Sequence, residues 1–183
     1  NPNYGYVECF FGSGGIGLAL LSHPELKQIW INDKDYTLAC LWNAVIKSPD
    51  ELCDLIKEFK PTPEIFFKYK EYLISDKVWI DDYIKVGFRK LAIHQISYSG
   101  LGTKAGGPIG GDEQKSDYKI DCRWNPKNLI RKIQTLHTQL KEKVRICSFH
   151  DFQYLLETCG KCIFYLDPPY YNKGEELYQQ SFK

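Results

Sequence analysis

The stretch FFGSGGIGLALL, residues 10–21, places Gly12, Gly14 and Gly17 in a G-x-G-x-x-G frame directly behind the apolar run YVECF. An apolar run, a glycine turn and a second apolar run read as strand, turn and helix. Such a turn lets backbone approach a ligand closely, and the helix start that follows offers free N–H groups to it. A second strand, QIWIND, closes at Asp33, 21 residues after Gly12, where an acid meets ribose hydroxyls. A nicotinamide dinucleotide and S-adenosylmethionine both carry such a ribose, so these two features do not separate them.

The rest of the chain extends the pattern. YTLACLWNAVI has apolar residues at helical spacing and ends before Pro49. Helical patterns continue to about Ile96, broken by turns at KPTP and ISDK. Residues 97–117 hold six glycines without periodicity and predict a mobile loop. Asn125 and Pro126 are the expected N-cap and first residue of a helix striped by Leu129, Ile133, Leu136 and Leu140. VRICSF is a third strand, Asp151 the expected N-cap of the next helix, and KCIFYLD a fourth strand ending at Asp167. Strands alternating with helices imply a parallel sheet. Four strand ends, at the glycine turn, Asp33, Asp151 and Asp167, direct polar chemistry to the rim where open α/β sheets bind ligands. The roughly 110 residues between strands two and three exceed a crossover helix and predict an inserted recognition subdomain.

Composition narrows the class. Hydrophobic residues make up 43% and charged residues 26% of 183, as in ordinary globular domains. No apolar run is long enough to span a membrane, and no basic leader precedes one, so a cytoplasmic location is expected. Seven scattered cysteines fit buried reduced thiols, and the lone C-x-x-C at Cys159 and Cys162 lacks the second pair of a zinc site. The four histidines show no metal-ligand spacing, and no metal is expected. Trp79 and Trp124 are expected to be core or packing residues rather than base-stacking ones. Residues 84–145 carry 13 Lys and Arg against 5 Asp and Glu, an asymmetry that suits a polyanion. Methionine is absent, so the chain is expected to begin downstream of its native start.

The discriminating residues are Asp167, Pro168, Pro169 and Tyr170, DPPY, directly after an apolar strand. Asp167 is fixed at the strand end. The prolines stiffen the exit and offer carbonyls without N–H groups. Tyr170 adds a flat ring. Two acceptors beside a stacking surface suit a planar group bearing an NH2, such as adenine.

With ECFFGSGG, INDKD, FHDF and RWNP in the same order, the chain resembles the DNA adenine N6-methyltransferases, the Dam-like family. The resemblance implies a Rossmann-like α/β methyltransferase fold, a mostly parallel sheet with helices on both faces and an inserted recognition subdomain. It implies S-adenosylmethionine as cofactor and double-stranded DNA as partner, bound by a monomer. Catalysis would fall to Asp167, Pro168, Pro169 and Tyr170. The cofactor would lie against Phe10, Gly12, Ser13, Gly14, Asp33, Asp151 and Phe152; Asp151 can serve at once as N-cap and as acceptor. Lys104, Lys115, Arg123 and Lys127, with Arg131 nearby, would meet DNA phosphates, or remain solvated. Residues 1–48 and 126–183 would form the catalytic domain and 49–125 the recognition insert. Cys9 stands where the family usually has Pro. The family's basic segment before the glycine motif and its strands after DPPY find no counterpart, so the chain is expected to be incomplete at both ends. Other readings are an RNA adenine or other amino-group methyltransferase, an inactive DNA-binding remnant, and a nicotinamide oxidoreductase, which leaves DPPY unexplained.

Overall fold

The computed structural model describes residues 5–168. Four strands, β1 (Gly5–Glu8), β2 (Ile29–Asn32), β3 (Val144–Ser148) and β4 (Cys162–Tyr165), form one sheet. Seven α-helices are described: α1 (Gly15–Leu20), α2 (Tyr36–Lys47), α3 (Pro49–Glu58), α4 (Pro63–Leu73), α5 (Tyr83–Ile96), α6 (Pro126–Leu140) and α7 (Phe152–Thr158). The strand order is β3-β2-β1-β4 and every pairing is parallel. The chain runs outward from β1 through β2 to β3, then returns to the opposite side of β1. The strand order therefore reverses between β1 and β4, where α/β sheets open a ligand crevice.

Alternation along β1 divides the core. Tyr6, with Ile29 and Ile31 of β2, faces a cluster built from Trp42 and Val45 of α2, Leu52 and Ile56 of α3, Phe88 and Ala92 of α5, and Ile133 and Leu140 of α6. Val7 and Cys9 face the other way, against Leu155 and Cys159 at α7. Helices thus cover both faces, as the alternating pattern requires. Helix caps form where expected. Asn125 accepts from the Asn128 amide at 3.0 Å, and Asp151 from that of Gln153 at 3.0 Å.

Helix α5 organises the long segment between β2 and β3. Ile84, Phe88 and Ala92 join the sheet-side cluster, while Val86, Ile93 and Ile96 join a second one with Phe66, Leu73, Ala105 and Ile120. Its contact with α2 is close because of Gly87, where an added Cβ would lie 2.7 Å from the Leu41 Cα.

One expectation is corrected here. The glycine-rich stretch is a pinned structure rather than a free loop. Ser97 bridges Pro108, the Tyr98 amide donates to the Gly107 carbonyl, the Ile109 amide donates to that of Ile96, and Ala105 and Ile109 are buried. Its glycines at 100, 102, 110 and 111 take positive φ, turning the chain back on itself. Trp79 is a packing residue rather than a core one: it is 54% exposed and stacks on Tyr36 with ring centroids 4.2 Å apart. Trp124 does pack, edge-on to Phe59. Four thiols are buried as expected, but Cys122 is exposed and Cys147 and Cys162 are half-buried.

Gly87→Ala is expected to destabilise the chain by about 1–3 kcal/mol through overpacking against α2, read as a lowered midpoint in chemical denaturation.

Candidate active site

The glycine turn is shaped by sterics and closed by three hydrogen bonds. Gly12 and Gly14 have φ of 51° and 78°. A Cβ at Gly14 would lie 2.9 Å from the Phe11 ring, and one at Gly17 would lie 2.6 Å from Glu8 Oε2. The Gly14 amide donates to the Phe11 carbonyl at 2.7 Å and Trp42 Nε1 donates to the Gly12 carbonyl at 3.0 Å. The third bond crosses to the next strand end, where the Gly12 amide donates to Asp33 Oδ2 at 2.8 Å. Asp33 Oδ1 accepts from the Asp35 amide at 2.9 Å. Burial pushes the Asp33 carboxyl up against the pull of these two amides. Each oxygen has more acceptor capacity than one amide uses, so the carboxylate can still take hydroxyl donors.

The third strand end is tied in by Asn32. Its side-chain amide donates to the carbonyls of Cys9 and His150, both at 3.0 Å, and its oxygen accepts from Ser148 Oγ and the His150 amide. This buried network sets the ends of β1, β2 and β3 side by side. The Phe10 and Phe152 rings consequently meet with centroids 5.4 Å apart. Asp151 caps α7 with one oxygen and pairs Lys34 at 3.1 Å through the other. The Gln153 amide first, and Lys34 second, hold its carboxyl below the ordinary value.

A cavity of about 640 Å³ opens along this rim, within the usual range for small-molecule sites. Phe10, Gly12, Ser13, Asp33, Asp151 and Phe152 line it, and so does Asp167 beyond β4. Gly14, the residue before α1, is not among the residues that line it. Pro168 follows Asp167 at an exposed position, whereas Pro169 and Tyr170 lie outside the described residues. Of the four basic residues singled out for DNA, Lys104 lines the cavity. Lys115, Arg123 and Lys127 are exposed and away from it; Lys115 pairs with Glu113, and Lys127 lies in the first turn of α6. Among the described residues no group of three His, Cys, Asp or Glu could hold a metal, and no helix is long and apolar enough to cross a membrane.

Sequence reasoning passed over Glu8, Asn32, Lys90 and His94, of which all but Asn32 line the cavity. Glu8 had a visible signal, an acid inside an apolar strand. It is 3% exposed and accepts from the Tyr6 hydroxyl at 3.1 Å. Burial pushes its carboxyl up to about 7, with the Asp167 charge adding to the rise and the bonds from Tyr6 and Gly17 opposing it. Nothing in the sequence marked Asn32 or Lys90, because their partners lie far along the chain, and His94 bonds the Gly100 carbonyl inside a stretch without periodicity.

A carboxyl raised in the folded state favours folding most while protonated. Its contribution is complete below the unfolded value near 4.5 and is lost as pH rises through about 7. Glu8→Gln is therefore expected to flatten the fall in stability across that interval, measured by denaturant unfolding at a series of pH values.

The model of the D12 class N6 adenine-specific DNA methyltransferase family matches residues 2–180. No curated protein matches the chain. The family transfers a methyl group to adenine N6 in DNA and therefore needs a methyl donor. The chain belongs to the D12 class N6 adenine-specific DNA methyltransferases.

Proposed function

We propose that the chain methylates adenine N6 in duplex DNA with S-adenosylmethionine, on a base turned out of the helix. One observation carries this reading: Asp167 lines the same cavity as Gly12 and Asp33.

The cavity residues fit the cofactor. Asp33 keeps acceptor capacity for two ribose hydroxyls while its two amide bonds fix its orientation. The paired rings of Phe10 and Phe152 offer a flat apolar flank for an adenine, with Asp151 beside them as acceptor for its amine. Ser13 and the glycine backbone lie where the methionyl end would run, and at Gly14 no side chain fits. When bound, S-adenosylmethionine supplies an electrophilic methyl group on a sulfonium.

The target amine is a poor nucleophile because its lone pair is conjugated into the purine. Asp167 and the Pro168 carbonyl would accept its two N–H bonds, localise the lone pair and aim it. Positioning and fixed dipoles then supply most of the rate. Tyr170, outside the described residues, would stack on the base and help offset the few kcal/mol that flipping costs. Pro169 would stiffen the turn.

In this reading residues 49–125 contact DNA, and 1–48 with 126–183 perform the chemistry. Lys104 lies at the cavity and would meet phosphate near the extruded nucleotide, while Lys115, Arg123 and Lys127 would meet the flanking backbone. Such contacts give affinity without sequence information. A monomer working in the cytoplasm suffices for this chemistry.

The direct test is nucleoside mass spectrometry after incubation with S-adenosylmethionine and duplex DNA, single-stranded DNA or RNA. N6-methyladenine in duplex DNA is expected, and its appearance only in RNA would overturn the substrate assignment. Asp167→Ala is expected to abolish transfer while retaining cofactor binding. Asp33→Ala is expected to weaken cofactor binding by roughly 10- to 100-fold, as loss of charged hydrogen bonds does. Replacing Lys104, Arg123 or Lys127 singly by Ala is expected to weaken binding to all duplexes alike and to lower the salt dependence by about one phosphate contact each, read by fluorescence anisotropy across salt concentrations.

A further inference from the structure

Lys90 is an unusual residue for a helix interior. It lies on α5, within the segment proposed to recognise DNA, and is buried with 4% of its surface exposed. Its Nζ meets Asp35 Oδ2 at 2.6 Å. Asp35 caps α2, its other oxygen accepting from the Thr37 amide and hydroxyl and from the Leu38 amide. The Asp35 amide in turn donates to Asp33 Oδ1, and Asp33 Oδ2 holds the Gly12 amide. A continuous line of short contacts thus runs from α5 to the glycine turn. One turn beyond Lys90, His94 Nδ1 bonds the Gly100 carbonyl at 2.8 Å, and its ring fills the space a side chain at Gly102 would need.

We infer that Lys90 is a positioning residue for the cofactor site: its ion pair with Asp35 holds the Asp33 carboxylate charged and aimed, and makes helix α5 part of the cofactor floor. The inference rests on the reading of Asp33 as the ribose acceptor.

The charges explain why a cation is needed. Asp33 and Asp35 are neighbouring acids in a poorly hydrated place, and two such carboxylates resist ionising together. Burial and the Asp35 charge both push the Asp33 carboxyl up, while the two amides and Lys90 pull it down. Burial alone would raise Asp35 as well, but Lys90 and the cap bonds hold it low. Among the described residues, Cys40, Cys147 and His94 also face the pair, while Lys34 and Lys104 line the same cavity, Lys34 turned to Asp151. The two thiols are pushed up to about 11 and about 12, and the imidazole is pushed down by burial and by Lys90, so none of these three supplies a cation at neutral pH. Lys90 is the buried cation paired directly with this acid pair.

The test is calorimetric titration of the whole chain with S-adenosylmethionine from about pH 5 to pH 8, a window in which raised carboxylates titrate. Lys90→Gln keeps a donor for Asp35 but removes the charge. It is expected to bind roughly tenfold more weakly at pH 7, with the deficit shrinking as pH rises and the acids ionise unaided. Lys90→Arg keeps the charge and is expected to retain the wild-type pH profile. The double variant D35N/K90Q has no unpaired charge to unfold it and no second acid to oppose Asp33; it is expected to recover most of the affinity that Lys90→Gln loses at pH 7. A Lys90→Gln deficit that is absent, or equal at all pH values, would overturn the inference, as would a double variant that binds no more tightly than Lys90→Gln at pH 7. A wild-type chain with no affinity for S-adenosylmethionine would sink the cofactor reading, whereas a binding wild type with an indifferent Lys90→Gln sinks the inference alone.

Discussion

The bond from the Gly12 amide to Asp33 Oδ2 is the contact on which the site depends. Without it the glycine turn and the second strand end are two adjacent loops. With it they become one surface, carrying a fixed carboxylate and a backbone too close for side chains. A parallel sheet brings strand ends into the same rim but does not register their loops. That registration falls to side chains, and here Asp33 and Asn32 share it. Asp33 locks the first loop to the second, while Asn32 joins both to the third through the carbonyls of Cys9 and His150.

These ties are polar and buried, so they work only because each is satisfied. Asn32 uses both donors and its acceptor on named partners, and Asp33 accepts on both oxygens. An unpaired polar group there would cost more than its bond contributes. The same logic explains the energetic oddities of the rim. Glu8 accommodates burial by a raised carboxyl, and Asp35 does so by pairing with Lys90. Both solutions place charge-sensitive groups at the cavity, where a methyl donor and a polyanionic substrate would meet.

The long segment between β2 and β3 is neither a plain crossover nor a body detached from the sheet. Leu52 and Ile56 of α3 and Phe88 of α5 pack in the cluster that contains Tyr6 and Ile29. The opposite side of α5 holds the glycine-rich stretch through Ile93, Ile96 and Ala105. One helix therefore joins the two layers, and its buried lysine faces the rim. The inserted segment and the sheet share packing as well as a boundary.

Much of this was legible in the amino-acid sequence. The glycine frame, the acid after QIWIND and the DPPY after CIFYL are local, because each depends on what a strand end does to the next few residues. Caps at Asn125 and Asp151 are local for the same reason. What stayed hidden depends on residues far apart in the chain: Lys90 with Asp35, Asn32 with His150, Trp79 with Tyr36. The glycine-rich stretch looked structureless because its order comes from one bridge to Ser97 and from burial against α5, neither of which leaves a periodic trace. The sequence by itself determined the elements, their order and which polar residues follow each strand, since backbone sterics and hydrophobic period act over a few residues. Only the tertiary structure decided that those ends share one cavity and which buried charges hold them in register. Such contacts form only after the sheet has closed, and they follow distance in space rather than spacing along the chain.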